Sequence, residues 1–210
     1  MTSIGAGELP RVFRRIRQLV DSRRERLTEL DSLIGDGDLG VTMGKAFAAA
    51  DGEMATMSET DVGKCLQKVG MAIAKAAPST MGTLIATGFL RGGKSLVGKQ
   101  ALAAADLGVF FEAFVQGIME RGKAKRGDKT ILDALGPAAE ALLRDRELPL
   151  VPALEHALAA AREGLEATRA MPPVHGKSFY HQEAAKGVED PGALTGLLIV
   201  EGFLEGLSEA

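Results

Sequence analysis

Apolar residues recur every three or four positions along most of this chain, and this spacing constrains its fold more than any other feature. Between Leu9 and Ile34, apolar side chains keep this period and arginines occupy many of the positions between them. No segment shows the sustained alternation of apolar and polar residues that is typical of a half-buried strand. Aromatic residues make up only 4% of the chain, which leaves few strand-forming side chains for a sandwich or barrel of strands. The sequence therefore predicts an all-α protein.

The periodic segments have the number and lengths of eight helices. They cover residues 9–34, 41–56, 60–77, 81–97, 107–125, 131–146, 151–171 and 192–208. Thr60 or Asp61 is suited to cap the third helix, and Pro152 lies early in the seventh, where a missing N–H costs little. Runs of alanine would let neighbouring helix axes approach closely. A chain of 210 residues suffices for one domain of upper-middle size or two very small ones, and we expect a single domain over residues 1–210.

Charge and cysteine content exclude several functional classes. The formal net charge is −3, so no overall positive field would attract nucleic acid or an anionic membrane. The single cysteine, Cys65, excludes an intramolecular disulfide and a four-thiolate zinc site. No apolar run approaches the roughly 20 residues that span a bilayer, and the arginine-rich N-terminus lacks a signal-peptide core. We therefore expect a cytoplasmic protein that binds neither nucleic acid nor membranes.

Three breaks in the helical pattern, at residues 35–40, 122–130 and 171–192, are not explained by helix packing. The last is the longest, and long ordered loops in compact domains are often functional. It carries a lysine between two histidines that are candidates to approach a phosphate: His175, Lys177 and His181. The second break carries a basic cluster, interpreted as a solvated helix end, with a site for an acidic partner as the alternative. The cluster consists of Lys123, Lys125, Arg126 and Lys129.

Three carboxylates stand within eight residues at the first break: Asp31, Asp36 and Asp38. Because close carboxylates repel one another, their convergence favours a divalent cation, and an all-oxygen ligand set points to Mg²⁺. Glycines between them would let the backbone turn so that Asp36 and Asp38 face the same way. An EF-hand would need a Glu at loop position 12, and Phe47 stands there. The other alternative is an Asp/Gly turn in which Asp38 caps the next helix.

Several short motifs, taken in order along nearly the whole chain, resemble the nucleotide-binding L subunit of dihydroxyacetone kinases. They are Leu30–Gly40 followed by Thr42-Met43, then Arg121–Ala124 with Gly127–Leu135, and finally Asp190–Ala193. Each motif is short, but their order and spacing together are specific. The resemblance implies an antiparallel barrel of eight helices. It also implies a nucleotide site at one end of the barrel, where two magnesium ions help to hold ADP or ATP.

The resemblance also assigns site residues, position by position. The family's metal-binding aspartates match Asp31, Asp36 and Asp38. Its nucleotide contacts match Leu39, Gly40, Val41, Thr42, Thr80, Met81, Gly82, Gly122, Ile131, Lys177, Asp190, Pro191 and Gly192. No residue of this chain is assigned to catalysis itself.

Four of these positions differ from the residues that the family usually carries. Leu39 stands in place of a histidine, Thr42 in place of an asparagine and Met81 in place of a turn serine. Lys177 replaces an arginine, which keeps the charge but loses the bidentate fork that matches a phosphate. These differences spare the metal ligands and alter the groups around the phosphates.

The function that the resemblance implies is that of one subunit in a multi-component kinase. A separate K subunit would bind dihydroxyacetone or a related short-chain ketose. Phosphate would come from ATP, or from ADP recharged by a phosphocarrier subunit of a phosphotransferase system; both donors remain open, and so does a homodimer. The alternative is a related module that binds nucleotide for regulation without transferring phosphate. Retention of all three aspartates favours the kinase subunit, because such a cluster is costly without a metal.

Overall fold

Nine α-helices make up most of residues 3–208, the part of the chain that the computed structural model describes. Their bounds are α1 Leu9–Ser22, α2 Arg24–Ile34, α3 Leu39–Ala55, α4 Val62–Ala76, α5 Thr80–Ser95, α6 Ala104–Gly122, α7 Leu132–Arg144, α8 Leu150–Ala167 and α9 Pro191–Ser208. Two strands of two residues each, β1 (Ile4–Gly5) and β2 (Ala101–Leu102), pair antiparallel. Short 3₁₀ helices cover Thr168–Ala170 and Lys177–His181. The prediction of an all-α protein is confirmed.

The first predicted helix, over residues 9–34, is in fact two helices. The chain breaks at Arg23, where φ is −104° and ψ is 7°. Helix α1 packs against α3 and α9, whereas α2 makes its main contacts with α3. Periodicity misses the break because the apolar positions Val20 and Leu27, on either side of it, lie seven residues apart, which is two helical turns.

Eight of the described helices form a closed ring. Each of α1, α3, α4, α5, α6, α7, α8 and α9 packs against the next, and α9 returns to α1. Neighbours run antiparallel, as the pairing of Gly202 with Ile16 and of Gly206 with Val12 shows for α9 and α1. Helix α2 is not a member of the ring. The expected antiparallel barrel of eight helices is therefore present, with α2 as an additional helix beside α3.

Phenylalanines from four helices of the ring fill its interior. Their ring centroids lie 5.0 to 6.3 Å apart in tilted or edge-to-face pairs. The residues are Phe13 from α1, Phe89 from α5, Phe110, Phe111 and Phe114 from α6, and Phe203 from α9. Most of the few aromatic residues of the chain thus pack together inside the ring. Buried apolar residues of all nine helices belong to one continuous hydrophobic cluster.

Glycines, in addition to the alanines that the sequence suggested, set the closest helix contacts. A side chain at Gly88 of α5 would collide with the ring of Phe114 on α6. At Gly202 of α9, an added Cβ would lie 2.9 Å from the Cα of Ile16, so the backbone of α1 itself stands in the way. These glycines allow the ring to close tightly.

The antiparallel order places the N-termini of α3, α5, α7 and α9 at one end of the ring. The three breaks noted in the sequence precede α3, α7 and α9, so they meet at that end too. Within residues 3–208, no helix has both the length and the apolar character needed to cross a membrane. Because four helix N-termini carry partial positive charge, this end is suited to bind an anion.

We expect Gly202→Ala to lower the free energy of unfolding by about 1–3 kcal/mol, because the new methyl group overlaps the α1 backbone. Chemical denaturation measures the loss. Gly52→Ala is the matched control: it lies on the exposed side of α3 with no atom within 4 Å of an added Cβ. The control should keep the stability of the wild type or gain about 0.5–1 kcal/mol. Equal stability of the two variants would contradict a tight α1–α9 contact.

Candidate functional site

A cleft of about 550 Å³ opens at the end of the ring where the four helix N-termini meet. This volume is in the usual range for a small-molecule site. Most of the residues predicted from the sequence line it: Asp31, Asp36, Asp38, Leu39, Thr80, Met81, Gly122, Ile131, Lys177, Asp190, Pro191 and Gly192. The fold therefore brings together residues that are far apart in the sequence.

The remaining predicted nucleotide contacts do not line the cleft: Gly40, Val41, Thr42 and Gly82. Gly40 is buried against α2, where a side chain would collide with the carbonyl oxygen of Arg24. Gly82 packs on the carbonyl of Ala77, and its N–H donates to Ser79 Oγ at 3.0 Å. Val41 is exposed and lines a different surface pocket. The backbone N–H of Thr42 is used within α3, donating to Asp38 O at 2.9 Å.

The three aspartates offer carboxylate oxygens that lie within 4.8 Å of one another. Asp31 belongs to the last turn of α2 and is partly buried, whereas Asp36 and Asp38 are exposed on the turn that follows. Burial raises the pKa of Asp31 and the charge of Asp36 adds to the rise, although the N–H of Leu39 donates to Asp31 Oδ2 at 3.1 Å. A divalent cation would relieve this repulsion, so the arrangement fits a Mg²⁺ site.

Two glycines shape the turn that carries these carboxylates. At Gly35, a side chain would overlap the carboxylate of Asp31, and Gly37 has a φ of +74°, a conformation that favours glycine. Asp38 occupies the N-cap position of α3, but its side chain makes no capping hydrogen bond within the described part of the chain. The alternative of a simple Asp/Gly cap therefore receives no support.

Lys177 reaches the carboxylates from the long connection between α8 and α9. Its ammonium donates a hydrogen bond to Asp36 Oδ2. This contact lowers the pKa of Asp36 and raises the pKa of Lys177. The same ammonium is therefore close enough to the acidic turn to meet the charge of a phosphate bound beside a metal ion.

Two helix N-termini and a set of apolar side chains line the rest of the cleft. Ser79 caps α5 and Asp190 caps α9, where Asp190 Oδ2 accepts from the N–H of Ala193 at 2.7 Å. The positive ends of these helices suit phosphate oxygens. Apolar side chains complete the lining and suit a flat base: Ile34, Leu39, Met81, Leu84, Ile118 and Ile131. The cleft can therefore hold a cation, an anion and an apolar group together.

Lys129 lines the cleft and was misassigned by the sequence analysis. Its side chain is buried, at 2% exposure, whereas Lys123, Lys125 and Arg126 are exposed as expected of a solvated helix end. Lys129 Nζ donates to Thr168 O at 2.5 Å and to a second backbone carbonyl. Burial lowers the pKa of this lysine. Sequence spacing cannot distinguish it from its exposed neighbours.

His175 also lines the cleft, whereas His181 is exposed and does not. His175 Nε2 lies 2.8 Å from Asp128 Oδ2. Burial alone would raise the pKa of Asp128, but hydrogen bonds from the N–H of Lys125 and from His175 lower it overall. Among the lining residues outside the predicted set, Ser79, Thr130, Gly176 and Ser178 each directly adjoin a predicted residue in the sequence. This adjacency is the sequence signal that could have found them.

Comparison with known protein families agrees with this geometry. The family model described as the DAK2 domain matches residues 33–205. The chain belongs to the DAK2-domain family. The resemblance to dihydroxyacetone kinases that the motifs suggested is thereby confirmed.

Two relatives of this DAK2-domain protein match nearly their whole length. The PEP-dependent dihydroxyacetone kinase, ADP-binding subunit DhaL, of Escherichia coli is 31% identical over 185 residues, which cover 87% of this chain and 88% of the relative. The corresponding subunit of kinase 2 from Listeria innocua is 30% identical and covers 91% of this chain and 90% of the relative.

Solved structures of the dihydroxyacetone kinase of C. freundii share the fold. The native form has a TM-score of 0.70 and 25% identity, covering 95% of this chain. The complex with AMP-PNP and Mg²⁺ has a TM-score of 0.73 and 23% identity. The DAK2-domain protein spans about a third of that kinase, 34% and 33% in the two structures.

Burial raises the pKa of Asp190 to about 7, from 3.8 for an exposed carboxyl. The folded protein therefore keeps this proton up to pH 7, whereas the unfolded chain releases it near pH 4. The resulting stability is fully present below about pH 4, is lost progressively between pH 4 and pH 7, and changes little above that. From pH 5 to pH 8, we expect the free energy of unfolding to fall by about 2–3 kcal/mol relative to Asp190→Asn.

Urea unfolding of both proteins across this pH range measures the difference. The asparagine keeps a side-chain oxygen for the N–H of Ala193 and does not titrate. Parallel pH dependence of the two proteins would show that Asp190 is ionised throughout.

Proposed function

We propose that this protein is the nucleotide-binding subunit of a kinase that phosphorylates dihydroxyacetone or a related short-chain ketose. The observation that carries the proposal is the meeting of three carboxylates with four helix N-termini around one cleft in a chain of the DAK2-domain family. Relatives that match nearly the whole chain are named as ADP-binding subunits of such kinases.

In this proposal, Asp31, Asp36 and Asp38 hold two magnesium ions. These residues would hold the ions beside the nucleotide, and the ions would supply positive charge to offset that of its phosphates. Three carboxylates and the phosphates of ADP carry about six negative charges, so one Mg²⁺ with Lys177 would leave the site strongly negative. Two ions bring the site close to neutrality. Carboxylate oxygens that all lie within 4.8 Å of one another support shared ligands.

The nucleotide phosphates would lie at the N-termini of α5 and α9, beside Thr80 and Gly192. A Cβ at Gly192 would lie 2.9 Å from Met81 Cε, so the missing side chain keeps this part of the cleft open. Lys177 would meet the remaining charge. The base would pack against the apolar side formed by Met81 and Ile131.

The acceptor ketose would be bound by a separate K subunit, which must bring its hydroxyl group into line with the terminal phosphate. Exposed apolar side chains at the rim of the cleft support docking there: Leu33 is 51% exposed, Phe179 48% and Tyr180 82%. Phe179 follows Ser178, which lines the cleft, and Tyr180 comes next in the chain, whereas Leu33 precedes Ile34, another lining residue. We propose that the K subunit covers this rim.

The same site accommodates either phosphate donor. ATP would bind and exchange at each turnover, whereas ADP would stay bound and be recharged by a phosphocarrier subunit. Heating the purified protein and identifying the released nucleotide distinguishes the two. Calorimetric titration of the emptied protein with ADP and ATP, with and without Mg²⁺, then tests the site. Retained ADP supports a recharged coenzyme, and weaker Mg²⁺-dependent ATP binding supports exchange. Absence of binding would contradict the proposal, and binding without phosphate transfer to the ketose in the presence of a K subunit would support a regulatory module.

Asp36→Asn should weaken Mg²⁺-dependent ADP binding at least tenfold, because an amide oxygen is a poorer ligand for Mg²⁺ than a carboxylate. Calorimetry with and without Mg²⁺ measures the change. Glu29→Gln is the matched control, since it removes one negative charge from the exposed side of α2. The control should bind ADP as the wild type does. Unchanged ADP affinity in Asp36→Asn would show that Asp36 is not a ligand of Mg²⁺.

Tyr180→Ser should weaken association with the K subunit at least tenfold and leave ADP affinity unchanged. Exposed tyrosines at interfaces often contribute this much when they become buried. Val97→Ser is the control, because Val97 is 52% exposed and follows the opposite end of α5. Binding to immobilised K subunit measures the association of both variants. If both variants associate equally well with the K subunit, that subunit binds a surface other than the rim of the cleft.

A further inference from the structure

The long connection between α8 and α9 is a loop with its two ends fastened together. The N–H of Gly187 donates to Arg169 O at 3.1 Å, and the Arg169 guanidinium donates to Gly187 O at 3.1 Å. The same guanidinium binds Glu189 at 3.0 Å. Residues 170–188 therefore leave and rejoin the helical ring at one place, and we call them the flap.

The flap forms one wall of the cleft. His175, Gly176, Lys177 and Ser178 line the cleft from this side. Beyond them, the ammonium of Lys177 contacts Asp36 after the end of α2. The flap thus extends from its base beside α8 and α9 to the carboxylates on the other side of the cleft.

One buried ammonium joins both ends of the flap. Lys129 Nζ donates to Thr168 O at 2.5 Å, just before the flap begins, and to Val188 O at 2.6 Å, where it ends. A buried ammonium is costly unless its donors are satisfied, so these two carbonyls must stay in place around it.

The turn before α7 aims Lys129 at the flap. The carboxylate of Asp133 accepts from the N–H of Gly127 at 2.6 Å and from the N–H of Thr130 at 2.7 Å, one residue on either side of the segment Asp128-Lys129. Lys129 itself has a φ of +60°, which residues other than glycine rarely adopt. The turn is therefore built to direct this side chain inward.

We infer that Lys129 is a positioning residue whose ammonium holds the flap against the cleft and thereby keeps Lys177 in place for the nucleotide. This inference rests on the proposed function for its effect on nucleotide. It gives Lys129 no contact with the reacting atoms. Without the ammonium, the base of the flap would open and the competent arrangement of the cleft would be less populated.

The first test needs no nucleotide. Lys129→Met keeps the length and apolar stem of the side chain but removes the donors. We expect amide hydrogen exchange within residues 171–188 to become at least tenfold faster, with exchange in α4 and α5 unchanged. Lys125→Met is the control, because Lys125 is exposed and lies between α6 and α7, as Lys129 does. It should leave exchange as in the wild type. Unchanged exchange of the flap in Lys129→Met would overturn the inference.

The second test is a double-mutant cycle on ADP affinity in the presence of Mg²⁺. Lys129→Met should weaken binding at least tenfold in the otherwise unchanged protein. In the Lys177→Met background it should weaken binding less than twofold, because the group that it positions is already gone. Additive effects would show that Lys129 acts independently of Lys177 and would overturn the inference.

These readouts separate failure of the inference from failure of the proposed function. If the wild type binds no ADP, the proposed function is refuted. Hydrogen exchange of the flap then still tests whether Lys129 holds the flap against the cleft. If Lys129→Met loses its helical circular dichroism, Lys129→Gln serves instead, since its shorter side chain ends in an uncharged amide. Faster flap exchange in Lys129→Gln supports the inference, and wild-type exchange overturns it.

Discussion

The contact between α9 and α1 is the constraint on which the rest of the architecture depends, because it closes the ring. Gly202 and Gly206 let the backbones of the first and last helices of the ring approach directly, and the phenylalanine cluster then fills the enclosed space. Closure in antiparallel order leaves no choice about helix direction. Every second helix must begin at the same end, so the positive ends of α3, α5, α7 and α9 gather there. The suitability of this end of the ring for an anion follows from the topology.

Against this positive background, a cluster of carboxylates becomes tolerable at the mouth of the cleft. Asp31 shows the balance: burial raises its pKa, while the N–H of Leu39 at the start of α3 opposes the rise. Asp36 is instead balanced by Lys177. Asp31 and Asp36 are thus each partly compensated by one hydrogen-bond donor, which suits a site for a metal bound together with phosphate.

The sequence predicts the helices and the acidic turn well, because both depend on local patterns. Period and composition identify the helical segments, and the Asp–Gly alternation identifies the turn. Three features depend on contacts between distant segments and could not be predicted in this way. The break at Arg23 follows from α1 and α2 having different neighbours. The close approach of Gly40 to the carbonyl oxygen of Arg24 follows from the packing of α3 on α2. Lys129 was expected in solvent, but it is buried because the two ends of a loop, 39 and 59 residues later in the chain, surround it.

The two sides of the cleft are supported by different kinds of structure, and this difference bears on how a nucleotide would be held. Asp31 belongs to a helix, and Asp36 and Asp38 stand on a short glycine turn between two helices, so their positions follow from the ring and α2. Lys177 belongs to the flap, whose position follows from hydrogen bonds at its base. The two sides meet where Lys177 contacts Asp36, but each is held in place by different contacts. Changes at the base of the flap would alter release while leaving the carboxylates intact. A single ring of this kind could in this way serve either a nucleotide that exchanges at each turnover or one that stays bound.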